Sequence, residues 1–417
     1  MPRTFLAGGD LVLPDRILAG HTLVLDGERI VDIASGPFVA GRGDTRVDVS
    51  GALIVPGFID GHVHGVAGTD VLDGGVAIAT VADALPRWGV TAFSPTTIAC
   101  APATLDEFLV GVAAARFTRP AASARVLPAH LESNFINPEY AGAQPVSCLR
   151  APILGAAQPR TSEPEVVRGV DEASSRHHGT SALFSAADIL TVIGEHRPDV
   201  GVVTLAPELE GGLDLVRRFA STGIAVSLGH SGATFEQAQA AIAAGARRVT
   251  HLFNRMSGMT HRAPGLAGAA LASAELAAEL VCDGHHVHPA VMRTAIAAKG
   301  VSRVMAITDG TAGSGLPVGS RTRLGGQMIT TGDVARLDNG TMAGSVLTMD
   351  RAFAMLVNAC GCTLPQAAEL CATTPARELG LHGHGVIAKG AVADLVVLTP
   401  QLTVRATWIA GVKVWGQ

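Results

Sequence analysis

Two histidines two positions apart, His62 and His64, lie in the stretch Pro56-Gly57-Phe58-Ile59-Asp60-Gly61-His62-Val63-His64-Gly65. On an extended strand residues two apart face the same side, so both imidazoles point one way. An apolar run, Ala52 to Val55, leads into them and reads as a buried strand. Two neutral imidazoles at a strand's end suit a divalent transition metal. More ligands are therefore expected at the ends of other apolar runs. His130-Leu131-Glu132, Pro207-Glu208, His230-Ser231, His251 with Asn254, Asp283 with His285 and His286, and Asp309 each follow such a run. Any one of these alone is an ordinary core or surface side chain; it is their recurrence after successive strands that carries chemistry.

The elements that must position them alternate. Short apolar runs at Leu53–Ile59, Val90–Thr96, Arg125–Leu131, Gly201–Leu205, Gly223–Leu228, Arg248–Thr250, Glu279–Cys282 and Ser302–Thr308 are separated by Ala-rich segments, of which Phe235 to Ala244 and Ala290 to Ala298 read as helices. Eight strands alternating with helices make an α/β fold, a (β/α)8 TIM-like barrel, whose strand ends converge on one catalytic mouth. A doubly wound open sheet is the alternative, and it gives those ends no common mouth. Both chain ends read differently, as short strands with tight turns. His21 to Leu25, Asp26-Gly27 and Arg29 to Ala34 form a hairpin signal. A small β-sandwich domain built from both termini, residues 1–55 and 385–417, is expected to flank a catalytic barrel over 56–384. The glycines Gly310, Gly313 and Gly315 lie in a loop after a strand, without the helix that a phosphate-binding glycine motif needs.

Composition narrows the class. Of 417 residues, 48% are hydrophobic and 16% charged, enough for a large core. A net charge of −5 offers no basic field for nucleic acid or an anionic membrane. No apolar run is long enough to cross a bilayer, and the amino-terminal residues lack the apolar stretch of a signal peptide, so the cytosol is expected. Six cysteines without a CxxC pair read as free buried thiols in a reducing compartment; a metal role for Cys360 and Cys362 is a weak alternative. His177, His178, His382 and His384 lie in loop-like sequence and read as solvated.

Taken in order, these motifs resemble the amidohydrolase superfamily, and within it the N-acetylglucosamine-6-phosphate deacetylases. The resemblance rests on Pro56-Gly57-Phe58-Ile59-Asp60 with His62 and His64, His130-Leu131-Glu132, Leu205-Ala206-Pro207-Glu208, Gly229-His230-Ser231 with Ala233-Thr234, Thr250-His251-Leu252-Phe253-Asn254, Asp283-Gly284-His285-His286-Val287, Thr308-Asp309 and Ala343-Gly344-Ser345. It implies that Glu132, His230 and His251 hold the main metal, that His62 and His64 form a second metal position which only some members keep, and that Glu132 bridges the two. It implies Asp309 as the catalytic aspartate and Asn254, Arg262 and His286 as holders of a sugar phosphate. The arginine at the Arg262 position can reach a neighbouring subunit's site, which implies a homodimer. The expected cofactor is a divalent metal, zinc by preference, with iron, cobalt or manganese as alternatives and one or two ions per subunit.

The chemistry agrees. A metal on two imidazoles and a carboxylate keeps a position for water and lowers its pKa to about 7. The hydroxide so formed attacks an amide carbonyl, and an aspartate beside the metal moves the proton to the leaving amine. The sequence departs from the family where the substrate is expected. Ser133-Asn134 stand where Gly-Pro is usual, and Gln144 stands where a histidine contacts the acyl carbonyl. Glutamine still donates a hydrogen bond but moves no proton. The leading expectation is hydrolysis of N-acetylglucosamine-6-phosphate to glucosamine-6-phosphate and acetate. The alternatives are another N-acyl amino sugar, an N-acyl amino acid or a cyclic amide, and, in a different class, a catalytically silent sugar-binding protein.

Overall fold

A glycine decides where the barrel begins. The computed structural model describes residues 2–35, 41–118, 120, 122–153 and 184–416. The sequence predicts one strand over Leu53–Ile59. The chain instead makes two, Leu53–Pro56 and Phe58–Val63, in different sheets. Gly57 is the crossing: its N–H donates to the Asp394 carbonyl at 2.8 Å, and a Cβ there would lie 2.4 Å from the Thr91 side chain. Only a residue without a side chain passes so close.

From Phe58 onward eight parallel strands form the barrel: Phe58–Val63, Val90–Thr97, Arg125–Val126 continued by Ala129–Glu132, Val200–Leu205, Ala225–Leu228, Arg248–Val249, Ala277–Val281 and Val304–Ile307. Each pairs with the next in chain order. The third is interrupted at Leu127-Pro128, where proline has no N–H to give a ladder. Among the described residues each strand is followed by a helix, from Ala77–Ala84 after the first to Met349–Asn358 after the eighth. The helix Phe235–Ala244 shows why they form where they do. Thr234 accepts from the Gln237 N–H while the Gln237 side chain accepts from the Thr234 N–H, and Gly245 ends the helix at φ 120°.

The seam between strands eight and one closes the barrel and excludes an open sheet. Val63 and Gly310 make a parallel bridge, and the His64 N–H donates to the Gly310 carbonyl at 2.8 Å. Below them the buried Asp60 carboxylate spans the seam. It accepts from the Thr308 hydroxyl at 2.6 Å, the Thr308 N–H at 3.2 Å and the His62 N–H at 3.3 Å. The seam therefore ties strand eight to the backbone that carries His62.

Strands from both ends pair into one eight-stranded sheet, with Leu53–Pro56 beside Leu395–Leu398 on one side and Arg3–Val12 on the other. The expected hairpin is there, Ile17–Asp26 against Arg29–Ala34. Alternate residues face opposite ways, as period-two geometry requires. Ile54, Leu395, Val397 and Trp408 pack in the sheet's own core, while Val55, Val396 and Leu398 pack into the barrel's. A three-stranded antiparallel unit, Arg321–Leu324, Gln327–Thr330 and Arg336–Leu337, sits in the last strand-to-helix connection. The buried Asp70 carboxylate anchors it by accepting from the Gly325 N–H at 2.7 Å.

All six cysteines are free, and five are buried. His382 is exposed, but His384 is not simply solvated: its Nδ1 lies 2.8 Å from the buried Asp394 carboxylate. His177 and His178 lie outside the described residues.

Removing the seam carboxylate strands buried donors, each worth about 1–3 kcal/mol when unpaired. Asp60→Ala is expected to lower unfolding stability by about 3 kcal/mol in urea. Asp15→Ala, at an exposed ion pair with Arg16, serves as a control expected within about 0.5 kcal/mol of the parent. Equal stability of the two variants would show that the seam holds without the carboxylate.

Candidate active site

Six side chains meet at the carboxyl ends of the barrel strands. His230 Nε2 and His251 Nε2 lie 2.8 and 2.9 Å from Glu132 Oε1 and 3.0 Å from each other. His62 Nε2 and His64 Nε2 are 3.2 Å apart, and lie 3.4 and 3.1 Å from Asp309 Oδ1. Glu132 joins the two groups: its Oε1 is 3.9 Å from His62 Nε2 and its Oε2 is 3.7 Å from His64 Nε2. All six residues are buried.

The donor chemistry fits a divalent cation. His64 Nδ1 faces the Thr96 carbonyl at 3.0 Å, His230 Nδ1 the Tyr140 carbonyl at 2.8 Å, and His62 Nδ1 a Glu279 carboxylate oxygen at 3.1 Å. Each of these contacts places the proton on Nδ1 and leaves the Nε2 lone pair pointing inward. Lone pairs facing at about 3 Å repel unless a cation lies between them. Three sets of donor atoms among the described residues are close enough to hold one, and two of them belong to this cluster: Glu132 with His230 and His251, and His62 with His64 and Glu132. The charges say the same. Burial opposes the charge on Glu132 and Asp309, yet neighbouring imidazoles outweigh it: His230 foremost for Glu132, and His62 then His64 for Asp309. Both carboxyls stay below their ordinary values, Glu132 well below. Burial likewise disfavours a charged His62, but Asp309, Glu279 and Glu132 draw a proton onto it and push its pKa up to about 10. A divalent ion supplies that positive charge in place of protons.

The backbone at these ligands is strained into place. His230, His251 and Asp309 have φ of 48°, 30° and 50°, a left-handed region costly for residues with a Cβ. Neighbouring contacts enforce it. Glu208 clamps the loop after His230 by accepting from the Ser231 hydroxyl at 2.7 Å and the Gly232 N–H at 2.6 Å. Ser345 holds the Asp309 turn, its N–H donating to the Asp309 carbonyl at 2.7 Å and its hydroxyl to the Thr308 carbonyl at 2.6 Å. Asp309 is thus no turn-capping aspartate; its carboxylate faces the histidines.

A cleft of about 440 Å³ opens over this cluster, lined among others by Glu132, Gln144, Asn254, Arg255, His286 and Asp309. Gln144 is buried and donates through Nε2 to Glu132 Oε2, while its Oε1 accepts from the Ala99 N–H at 2.7 Å. It therefore orients the Glu132 carboxylate from the cleft wall. Ser133 and Asn134, the other departures from the family pattern, are wall pieces. The Ser133 hydroxyl donates to the Thr204 carbonyl at 2.5 Å, and the Asn134 amide to the Cys100 and Cys148 carbonyls. Asn254 and His286 reach the cleft, His286 with its Nδ1 2.6 Å from Asp283. Arg262 is exposed and does not line it. Arg255 does, in a left-handed conformation at φ 48°.

An amidohydrolase family model matches residues 53–414, the barrel with its flanking strands. The chain belongs to the amidohydrolase family. Among its relatives is an N-acetylgalactosamine-6-phosphate deacetylase of Escherichia coli O157:H7, 35% identical over 86% of this chain and 87% of that protein. An N-acetylglucosamine-6-phosphate deacetylase of Danio rerio is also 35% identical, over 90% and 87%. Among solved structures, a mutant N-acetyl-D-glucosamine-6-phosphate deacetylase of Mycobacterium smegmatis in complex with N-acetyl-D-glucosamine-6-phosphate superposes with a TM-score of 0.83 at 28% identity, covering 99% of this chain and all of that one. The Thermotoga maritima enzyme gives 0.81 at 26%, with the same coverage.

Two residues of this amidohydrolase escape the sequence reading. Glu279 was read only as the start of a strand. Its signal was there, a lone carboxylate inside the apolar run Ala277–Val281. Arg255 had no such signal, because only the three-dimensional turn brings it over the cleft.

Because Glu132 touches both cation positions, Glu132→Gln is expected to lose metal from both, whereas His230→Ala is expected to lose only the ion shared with His251. Metal counted per chain by inductively coupled plasma mass spectrometry, after loading and desalting, checks this. Equal metal content in both variants would dissociate Glu132 from the second position.

Proposed function

We propose that the chain removes acetate from N-acetylglucosamine-6-phosphate, leaving glucosamine-6-phosphate. The observation that carries this reading is Asp309, charged, buried and within 3.4 Å of two metal-facing histidines at the floor of an open cleft. The relatives at 35% identity, named as deacetylases of acetamido-sugar 6-phosphates, supply the substrate class. The galacto isomer is a second reading, favoured by the Escherichia coli relative.

We take the cofactor to be zinc, held by Glu132, His230 and His251, with His62 and His64 offering a second position. Bound there, such an ion lowers the pKa of a water to about 7 and polarises the amide carbonyl. The rest is the work of side chains. Asp309, kept ionised at neutral pH, accepts the water's proton and hands it to the amide nitrogen. An amine leaves only when protonated, so the same carboxyl acts first as base and then as acid. Gln144 keeps Glu132 in one orientation throughout. Asn254 and His286 hold the sugar phosphate. Arg255 gives the cleft a guanidinium on its own chain, suited to a phosphate. Arg262, exposed, serves the neighbouring cleft in a homodimer. No helix among the described residues is long and apolar enough to cross a membrane. We place the enzyme in the cytosol, where a membrane-impermeant sugar phosphate is available.

Acetate release from the metal-loaded enzyme, measured on gluco and galacto acetamido sugars with and without the 6-phosphate, tests the reading. Hydrolysis of the 6-phosphates is expected to be preferred, and an enzyme indifferent to phosphate would overturn the assignment. Asp309→Asn is expected to lower kcat by about 10²–10⁴-fold with metal content unchanged; full activity in that variant would remove the base. Arg255→Ala is expected to raise KM about tenfold for the phosphorylated sugar alone, since a charge-assisted hydrogen bond is worth about 1.5–3 kcal/mol.

A further inference from the structure

Under this cluster lies a second polar layer, Glu279, His130, Thr204 and Thr250, that does not line the cleft. Glu279, on Ala277–Val281, is 1% exposed. One of its oxygens lies 3.1 Å from His62 Nδ1 and the other 3.6 Å from His130 Nδ1. His130 Nε2 continues to the Thr204 hydroxyl at 2.7 Å, which meets the Thr250 hydroxyl at 2.7 Å. A carboxylate so deep in a barrel is costly unless it is paired and hydrogen-bonded, and nothing in the hydrolysis as described uses it.

Its partner is informative. His64 and His230 turn their Nδ1 atoms to backbone carbonyls, which any sequence would provide. His62 turns its Nδ1 to a side chain, and to a charged one. That contact fixes the Nδ1–H tautomer, aims the Nε2 lone pair at the gap shared with His64 and Asp309, and makes the imidazole a stronger donor. Glu279, His62 and His130 are themselves close enough to enclose an ion. However, His130 spends Nε2 on Thr204 and points Nδ1 also toward the Gly61 carbonyl at 3.3 Å. The layer is therefore a support.

We propose that Glu279 is the positioning residue for the second cation position. The ion at His62 and His64 is held firmly only while the Glu279 carboxylate fixes His62, and the ion at Glu132, His230 and His251 is independent of it. This rests on the metal-dependent reading of the site given above.

The test is metal binding measured apart from activity. Zinc is titrated into metal-free wild type, E279Q, H62N and the double variant, and bound equivalents and their dissociation constants are read by calorimetry and mass spectrometry. Wild type is expected to take two equivalents. E279Q is expected to bind the first as wild type does and the second about 10–100-fold more weakly. H62N should reproduce that pattern, and the double variant should add nothing to it. Should E279Q not fold, E279D, which withdraws the same charge by one methylene, takes its place with the same expectation. Two unchanged equivalents in E279Q, equal weakening of both ions, or a wild type that takes only one equivalent would each overturn the proposal. A wild type that binds no zinc overturns the metal-dependent reading as well, so the two failures are told apart.

Discussion

Imidazole lone pairs pointed at one another across about 3 Å are the constraint from which the rest of this structure follows. His230 and His251, and separately His62 and His64, face each other at 3.0 and 3.2 Å with a carboxylate oxygen beside each pair. Left to themselves such groups would take up protons or move apart. His62, His64 and His230 are pinned from behind through Nδ1, and a divalent cation held by these groups would resolve the repulsion. The left-handed backbone at His230, His251 and Asp309 makes sense in the same terms. A conformation that costs free energy persists only where its surroundings over-determine it, and at His230 and Asp309 the contacts of Glu208 and Ser345 do so.

The barrel is the means of gathering these groups. Each strand contributes little, often one polar side chain within it or at its end, such as His62 on the first and Glu279 on the seventh, and the rest of each buried strand is largely apolar packing. Closure matters most where strand eight returns to strand one. Asp60 ties Thr308, next to Asp309, to the backbone of His62. The seam that completes the fold is thus also the spacer that sets the distance between Asp309 and its histidines.

Much of this was legible in the sequence, and the illegible part has a physical cause. The convergence of His62, His64, Glu132, His230, His251 and Asp309 is readable because a parallel barrel brings every strand end to one mouth, while picking these six from the other strand-end residues took the family resemblance. The first strand was misplaced because Leu53–Ile59 is apolar throughout. Only the close approach at Gly57 reveals that it changes sheets. Gln144, expected on the substrate, lines the cleft and also donates to Glu132, a partner that pattern alone does not give. Arg255 and Glu279 depend on a turn and on an inward register that no single-sequence pattern specifies. Arg262 lies away from this chain's own cleft.

One feature of the fold reaches into how the molecule is made. The sheet shared by both ends pairs Leu53–Pro56 with Leu395–Leu398, partners separated by the whole barrel in sequence. During synthesis Leu53–Pro56 emerges long before its late partner, with Ile54 and Val55 unable to bury fully and one of its ladder edges unpaired. Contacts so distant along the chain close slowly and leave apolar edges open to other chains meanwhile. The barrel core, which also receives Val55, Val396 and Leu398, cannot finish packing until the late strands arrive. For this protein the vulnerable interval lies in the time between translating its first strands and its last, and a chaperone that shields the Leu53–Pro56 edge would act on that interval.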